Sequence, residues 1–237
     1  MTTNSSGPRG LYGKIPAKAD FIHRNLPTAF VIPWDEWLRR ALAVSRDKLS
    51  KEWVKTYLSS PAWRFALDPG IVGPSGWLGV LVSSIDEVQR CYPLTLAVSL
   101  PPKMTLGQLG GDVDPGLEHL ETIALSVIGG ECTIDDVLGE LASVPFDFQA
   151  DAEHAHTIHH WRGGGAVANF NMPSPRSVAG MISEVIPGGP AAGLSCWWHR
   201  GWGSHRAASV IAFGLPPADG FPAFLNGRWG AHGWSEP

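Results

Sequence analysis

Two apolar stretches joined by a short link do most to limit what this chain can fold into. Trp77-Leu-Gly-Val-Leu-Val82 is a continuous apolar run, the pattern of a central strand covered on both faces. In the stretch that follows, Tyr92, Leu94, Leu96, Val98 and Leu100 alternate with Pro, Thr, Ala and Ser, the period-2 mark of a half-buried strand. The link between the two cannot hold a βαβ crossover, so they pair antiparallel. Within it, Ser84-Ile-Asp-Glu87 has the spacing of a capping box and predicts a one-turn helix. The expected fold class is α/β, with a mixed, largely antiparallel sheet flanked by helices.

The helices are marked by period and by caps. Trp34, Trp37, Leu38, Ala41 and Leu42 follow the i, i+3, i+4, i+7, i+8 stripe of a helix starting near Trp34. Asp35–Arg39 and Glu36–Arg40 are acid-first i,i+4 pairs on its exposed side, each worth a few tenths of a kcal/mol. A second helix over about residues 50–58 precedes Pro61. Asp114-Pro115 reads as an N-cap followed by proline at the first helical position, and Gly129-Gly130 closes that helix. Thr133 with Asp136 starts another, turning Ile134, Val137, Leu138 and Leu141 inward.

Further strands are expected after Gly10, interrupted by Pro16, and over His154–Trp161. Leu194–His199 and Ala207–Phe213 read as a hairpin, and Pro216–Asn226 as a short helix capped by Gly227. Residues 1–9 read as a disordered tail ahead of a single domain over 10–237, with a sub-boundary near 145–153.

Composition narrows the function classes. The 28 glycines and 20 prolines are about a fifth of the 237 residues, short of the roughly 25–30% at which low complexity takes over. Lys and Arg number 18 against 22 Asp and Glu, a net charge of −4 that argues against a nucleic-acid partner. No apolar run approaches the length of a membrane-spanning helix, and the polar start, Met1 to Pro8, lacks the apolar core of a signal peptide. Cys91, Cys132 and Cys196 are odd in number and far apart, as suits free thiols in a reducing cytoplasm. A cytoplasmic protein without membrane insertion is expected.

Catalytic readings each fail on a missing group. His154, His156, His159 and His160, with Asp151 and Glu153, form the best metal candidate, but no Cys-x-x-Cys or His-Glu-x-x-His accompanies them. A polar strand edge or surface loop explains the cluster as well, and no metal or other cofactor is expected. Gly13-Lys14 lacks the rest of a phosphate loop, with Pro8 and Ile15 where Gly and Ser or Thr belong. Gly163-Gly-Gly165 lacks dinucleotide-loop spacing and reads as a flexible turn. Gly73-Pro-Ser-Gly76 misses the nucleophile elbow at Trp77. Asp219-Gly220 alone cannot hold the dimetal centre of a phosphatase, and Asp114 has an explanation as a cap. A hydrolase or metal-dependent enzyme using Asp20 or His154–His160 is the alternative to a protein with no catalytic apparatus.

Eleven tryptophans against three tyrosines remain. Trp37, Trp63 and Trp77 fall on apolar faces and read as core. Trp197 and Trp198 are adjacent on a strand, so they point to opposite faces and one of them is an interface candidate. Trp202, Trp229 and Trp234 lie in Gly-rich surroundings where burial is less assured. Exposed Trp and Arg are the usual hot spots of protein interfaces.

The first third of the chain carries distinctive blocks: Tyr12-Gly13-Lys14-Ile15-Pro16, Asp20-Phe21, Arg24-Asn25-Leu26-Pro27, Pro33-Trp34-Asp35, Trp63-Arg64-Phe65 and Arg90-Cys91-Tyr92-Pro93-Leu94-Thr95. Ser195-Cys196-Trp197-Trp198 and Phe213-Gly214-Leu215-Pro216 follow later. In these blocks the chain resembles the TagF/ImpM family of type VI secretion accessory proteins, over almost everything beyond residue 9. The resemblance implies a longin-like α/β sandwich and a non-enzymatic regulator acting after translation, typically by repression. It implies engagement of the FHA-domain scaffold of the secretion system. Some relatives are fused to a PP2C-type phosphatase domain, so any phosphatase link here would be to a separate PP2C-type protein. Lys14, Asp20, Arg24, Trp34, Arg64 and Arg90 are the matched contact candidates, beside Trp197 and Trp198. Each also has a scaffold reading; Arg64, for example, alternates away from Trp63 and Phe65 and could pair with Asp20. Two positions depart from the family pattern, Ala19 and Gln89, where glycine is common; strain is expected at Ala19 if the backbone there needs positive φ.

Overall fold

The computed structural model describes residues 7–149, 167–169, 178, 180, 182, 192–203 and 205–234, with backbone alone at 167–169. Among the described residues eight strands form one sheet: β1 (Arg9–Gly13), β2 (Ile22–Arg24), β3 (Trp63–Leu67), β4 (Trp77–Val82), β5 (Leu94–Ser99), β6 (Val167–Asn169), β7 (Leu194–His199) and β8 (Ala208–Phe213). Their order is β2-β1-β5-β4-β3-β7-β8-β6 and every pairing is antiparallel. The first five neighbours come from residues 9–99 and the last three from 167–213. The two groups meet at one seam, where Arg64 to Leu67 of β3 face Trp198 to Ser195 of β7.

Each strand sorts its alternate residues into two cores. One side holds Leu78, Val80, Leu94, Leu96 and Val98 with Leu117, Leu120 and Ile123 of α3 (Asp114–Gly129) and Val137 and Leu141 of α4 (Ile134–Ser143). The other holds Trp63, Phe65, Trp77 and Trp197 beneath α1 (Thr28–Leu49), α2 (Trp53–Leu58) and α5 (Pro222–Asn226). Because helices cover both faces, β5 is buried throughout rather than half-buried, and the alternation in its sequence separates two cores instead of core from water. Gly79 has a physical reason on β4. A Cβ there would collide with the Phe65 ring and the carbonyl of Leu96, so glycine lets the ring lie across the sheet.

Helix boundaries follow from local chemistry, with three differences from expectation. The first helix begins at Thr28, with Pro33 inside its second turn, where the ring removes one backbone bond without ending the helix. Asp114 is the first helical residue, and its amide donates to the Asp112 carboxylate at 3.1 Å, which frees the Asp114 side chain to turn inward. Ser84–Glu87 forms no helix: Ile85 bridges Cys91, and the chain turns at Glu87–Val88, where the Asp86 carboxylate accepts the amides of Val88 and Arg90. The Thr133–Asp136 capping box is present as read, and Gly130 and Gly227 close their helices in left-handed conformations. Strand β1 starts at Arg9, inside the stretch expected to be tail, and the Arg9 guanidinium donates to the carbonyls of Leu141, Ala142 and Val144 at the end of α4.

Among the described residues no helix is long and apolar enough to cross a membrane. The expected strand and histidine cluster over 154–161 and the expected boundary near 145–153 lie wholly or partly outside the described residues.

Candidate protein-binding surface

Four of the sequence blocks, those carrying Tyr12 and Lys14, Phe21, Asp35, and Arg90 with Tyr92, converge on one end of the sheet, around two carboxylates. Asp35, on α1, accepts hydrogen bonds on Oδ1 from the hydroxyls of Tyr12 (2.7 Å) and Tyr92 (2.8 Å), while Arg39 Nε lies 2.6 Å from its Oδ2. Burial, then the Asp35 bond, pushes the Tyr12 phenol up to about 12, and burial pushes Tyr92 up further. Both hydroxyls are therefore fixed donors rather than acids at neutral pH.

Asp86 is the second centre, fully buried. Its Oδ2 takes Lys14 Nζ at 2.5 Å and Arg90 Nε at 2.7 Å; its Oδ1 accepts the amides of Val88 and Arg90. Burial works to raise its pKa, but the bonds from Lys14 and Arg90 together outweigh that and hold it below the usual carboxylate range. Arg90 also reaches back to the carbonyl of Ala19 at 2.5 Å, so the 15–20 loop and the 86–90 loop are locked together. Gly13 makes this possible: it sits at φ 140°, and a Cβ would run into the carbonyl of Pro93. Of the two positions that depart from glycine, Ala19 has no positive φ, whereas Gln89 does, at 65°.

What this frame presents to solvent is Phe21. Its ring is 40% exposed, stacked on Tyr12 at 5.7 Å between centroids and edge-on to Tyr92 at 4.7 Å. Lys14 Nζ lies 5.0 Å from the ring centroid and Arg39 5.9 Å. His23, Arg24 and Asp20 are exposed beside it. An aromatic side chain held rigid between cations, at the surface, suits recognition of a partner better than acid–base chemistry.

The contact candidates thus divide. Asp20, Arg24 and Arg90 are exposed at this end of the sheet. Lys14, Trp34, Arg64, Trp197 and Trp198 are buried and offer a partner almost nothing. Trp34 donates to Thr95 Oγ1 at 2.9 Å, and Trp197 to Ser195 Oγ at 3.0 Å, on the aromatic side. Trp198 does point to the opposite face, yet α3 covers it. Arg64 pairs not with Asp20 but with Asp114 (3.0 Å) and Glu121 (3.1 Å), and Asp114 also accepts from Trp198 Nε1 and Arg200. Asp114 is therefore the centre of a buried ion cluster more than a cap. The sequence reading missed Phe21, Asp35 and Asp86 as members of one site. Phe21 and Asp35 stood in the distinctive blocks, while Asp86 was concealed in a capping-box pattern. Among the described residues no three His, Cys, Asp or Glu side chains converge as metal ligands.

A family model described as the TagF N-terminal domain, type VI secretion system-associated, matches residues 10–144, more than half of the chain. The crystal structure of PA0076 from Pseudomonas aeruginosa PAO1 is 32% identical, covers 97% of each chain and superposes with a TM-score of 0.74. The chain belongs to the TagF family. No curated protein matches it. This TagF protein is type VI secretion system-associated, and its α/β architecture is shared with PA0076 over nearly its full length.

Proposed function

We propose that this TagF protein is a non-enzymatic, cytoplasmic regulator of a type VI secretion system that binds the system's FHA-domain scaffold and represses secretion. Membership of the family, over most of the chain, is the observation that carries this reading. The geometry supports a binding role: Tyr12, Lys14 and Tyr92 of the distinctive blocks, with Arg39, brace the exposed Phe21. The contact face is Phe21 with Arg24 and Arg90. A PP2C-type phosphatase, if it acts in the same pathway, is a separate protein.

The test is titration of the purified scaffold with the wild-type protein and with Phe21→Ala and Arg24→Ala. Each substitution is expected to weaken binding by roughly 1–3 kcal/mol, as interface hot spots do, without lowering thermal stability. Overproduction should suppress secretion. Absence of any complex, with secretion unaffected by deletion or overproduction, would sink the reading. The same preparation is expected to hydrolyse no nucleotide, phosphopeptide or aryl ester; turnover lost in Asp20→Asn would point to the enzyme alternative.

A further inference from the structure

We infer that the cavity between the β7–β8 turn and the end of α5 is a binding site for a small organic anion, a carboxylate or phosphate carried on an apolar ring. The cavity has a volume of about 430 Å³, inside the ~300–1,000 Å³ of small-molecule pockets. Trp63 and Phe224, with three alanines beside them, make its apolar wall; His199, His205, Arg206 and Asn226 are its polar groups. Apolar walls with a few polar groups are the usual make-up of a ligand site.

His199 supplies a donor that the protein itself does not use. Its imidazole is only 7% exposed and lies edge-on to Trp63, 4.5 Å between centroids. The amide of Gly201 donates to Nδ1 at 3.1 Å, so in the neutral ring the proton sits on Nε2. Burial, then His205, lowers the pKa of this histidine, and the ring is uncharged at neutral pH. Among the described residues nothing accepts from Nε2. A nearly buried N–H without an acceptor is costly, and a bound oxyanion would provide one.

Charge selects the ligand. The ionisable side chains of the lining are His199, His205 and Arg206, and none is a carboxylate. Arg206 is exposed and, like Arg228 between the lining residues Gly227 and Trp229, makes no ion pair among the described residues. Asp219 is the one acidic residue described beyond position 192, and it lies 3.6 Å from Lys48. Arg64 and Arg200, by contrast, are both neutralised by carboxylates of α3. Asn226 adds a further donor: its Oδ1 accepts the Arg228 amide and its Nδ2 lies 3.0 Å from His232 Nε2, which leaves one amide hydrogen over. Carboxylate and phosphate both accept such charge-assisted bonds from a guanidinium, while an amine would meet Arg206 with no carboxylate to offset it.

The experiment is calorimetric titration of the full-length protein with phenyl phosphate and with phenylacetate. Inorganic phosphate, acetate and phenethylamine are the controls. At least one aryl anion is expected to bind, at least tenfold more tightly than its ring-free counterpart and than the amine, and the tighter of the two identifies the oxyanion. Its affinity should fall at least tenfold in Arg206→Ala, whose exposed side chain can be removed without lowering thermal stability. A similar fall is expected in His199→Phe, which keeps a ring but has no N–H. Imidazole nitrogen NMR of the wild type should show the Nε2 signal of His199 moving as the probe binds, a readout that stands even where His199→Phe fails to fold. No binding of either aryl anion at millimolar concentration overturns the assignment. So does affinity unchanged in Arg206→Ala, a His199 signal that stays in place, or equal binding of the ring-free ions, which would mark an adventitious ion only. The scaffold titration at Phe21 is a separate measurement, and its outcome leaves this one standing.

Discussion

The two sides of the sheet solve the problem of burial in different ways. Under α3 and α4 the core is aliphatic, built from Leu, Val and Ile with few aromatic side chains, and its buried charge is held in an ion cluster of Arg64, Asp114 and Glu121 and in Asp68, whose carboxylate accepts the amides of Leu106 and Leu194. Beneath α1, α2 and α5 it is aromatic, and polar groups are satisfied singly, ring by ring. Trp34, Trp37, Trp53, Trp63, Trp197 and Trp234 each donate to an oxygen between 2.7 and 3.0 Å away; Trp77 Nε1 is buried without a partner. An aliphatic side chain needs only volume, whereas an indole needs volume and an acceptor. The aliphatic side should therefore tolerate exchange among its apolar residues and fail where its ion cluster is broken. The aromatic side should register small losses at many positions.

The largest test of that contrast is Arg64→Ala. Removing the guanidinium leaves Asp114 and Glu121 undercompensated at a buried site, and a loss of about 3–5 kcal/mol is expected in urea unfolding. The double variant Arg64→Met/Asp114→Leu should recover much of it; failure to do so would mean the cluster contributes more than mutual compensation.

Next comes pH. His199, buried edge-on against Trp63 on the aromatic side, has its pKa lowered by burial and then by His205 to about 4 from an ordinary 6.5. Between those values the unfolded chain takes up a proton that the folded one refuses. This contribution to stability is intact above about pH 6.5 and declines as pH falls toward 4, by up to ~3 kcal/mol. His199→Gln should flatten that part of the stability profile, as followed by thermal melts across the range.

On the same side, Trp34→Phe keeps a ring but removes the bond to the fully buried Thr95 hydroxyl, and about 1–3 kcal/mol should be lost. An equal loss for Leu96→Met, a volume-conserving change across the sheet that should cost under ~1.5 kcal/mol, would erase the distinction between the cores. Smallest is Gln89→Gly. The left-handed conformation costs a side-chain-bearing residue about 1–2 kcal/mol, and glycine's extra unfolded-state freedom returns roughly half of that. A net gain of ~0.5 kcal/mol is expected from calorimetry.

Much of the scaffold was legible before any coordinates. Apolar periodicity marked α1 from Trp34 onward, β4, β5 and the β7–β8 hairpin, because these elements are long enough for period to dominate. The first two turns of α1 were not legible, since Pro27 and Pro33 bracket them and proline reads as an interruption. The site was legible only as a set of blocks. Nothing in the sequence says that Asp35 joins Tyr12 to Tyr92, or that Lys14 and Arg90 share Asp86, because the bonds span up to 72 positions and depend on the register of β1 with β5. Burial was the other gap. Trp34, Arg64 and Trp198 look like interface residues by type; Trp34 is interior because α1 lays it on the sheet, and Arg64 and Trp198 because α3 covers them. Trp202, flagged for its glycine-rich surroundings, is the tryptophan of that group that stays exposed, while Trp229 and Trp234 are buried.

The single seam between β3 and β7 has a consequence during synthesis. Every residue of β3, Trp63 to Leu67, is buried in the finished sheet, and on one side its partner strand lies well over a hundred residues further along the chain. At ~5–20 residues per second the ribosome needs on the order of ten seconds to deliver β7. For that interval the nascent protein holds an unpaired strand rich in tryptophan and phenylalanine, with open backbone groups ready to join any other strand. A product ending after α4 would keep that edge open permanently, and would be expected to aggregate or to recruit chaperones even where the five strands already made are correctly paired.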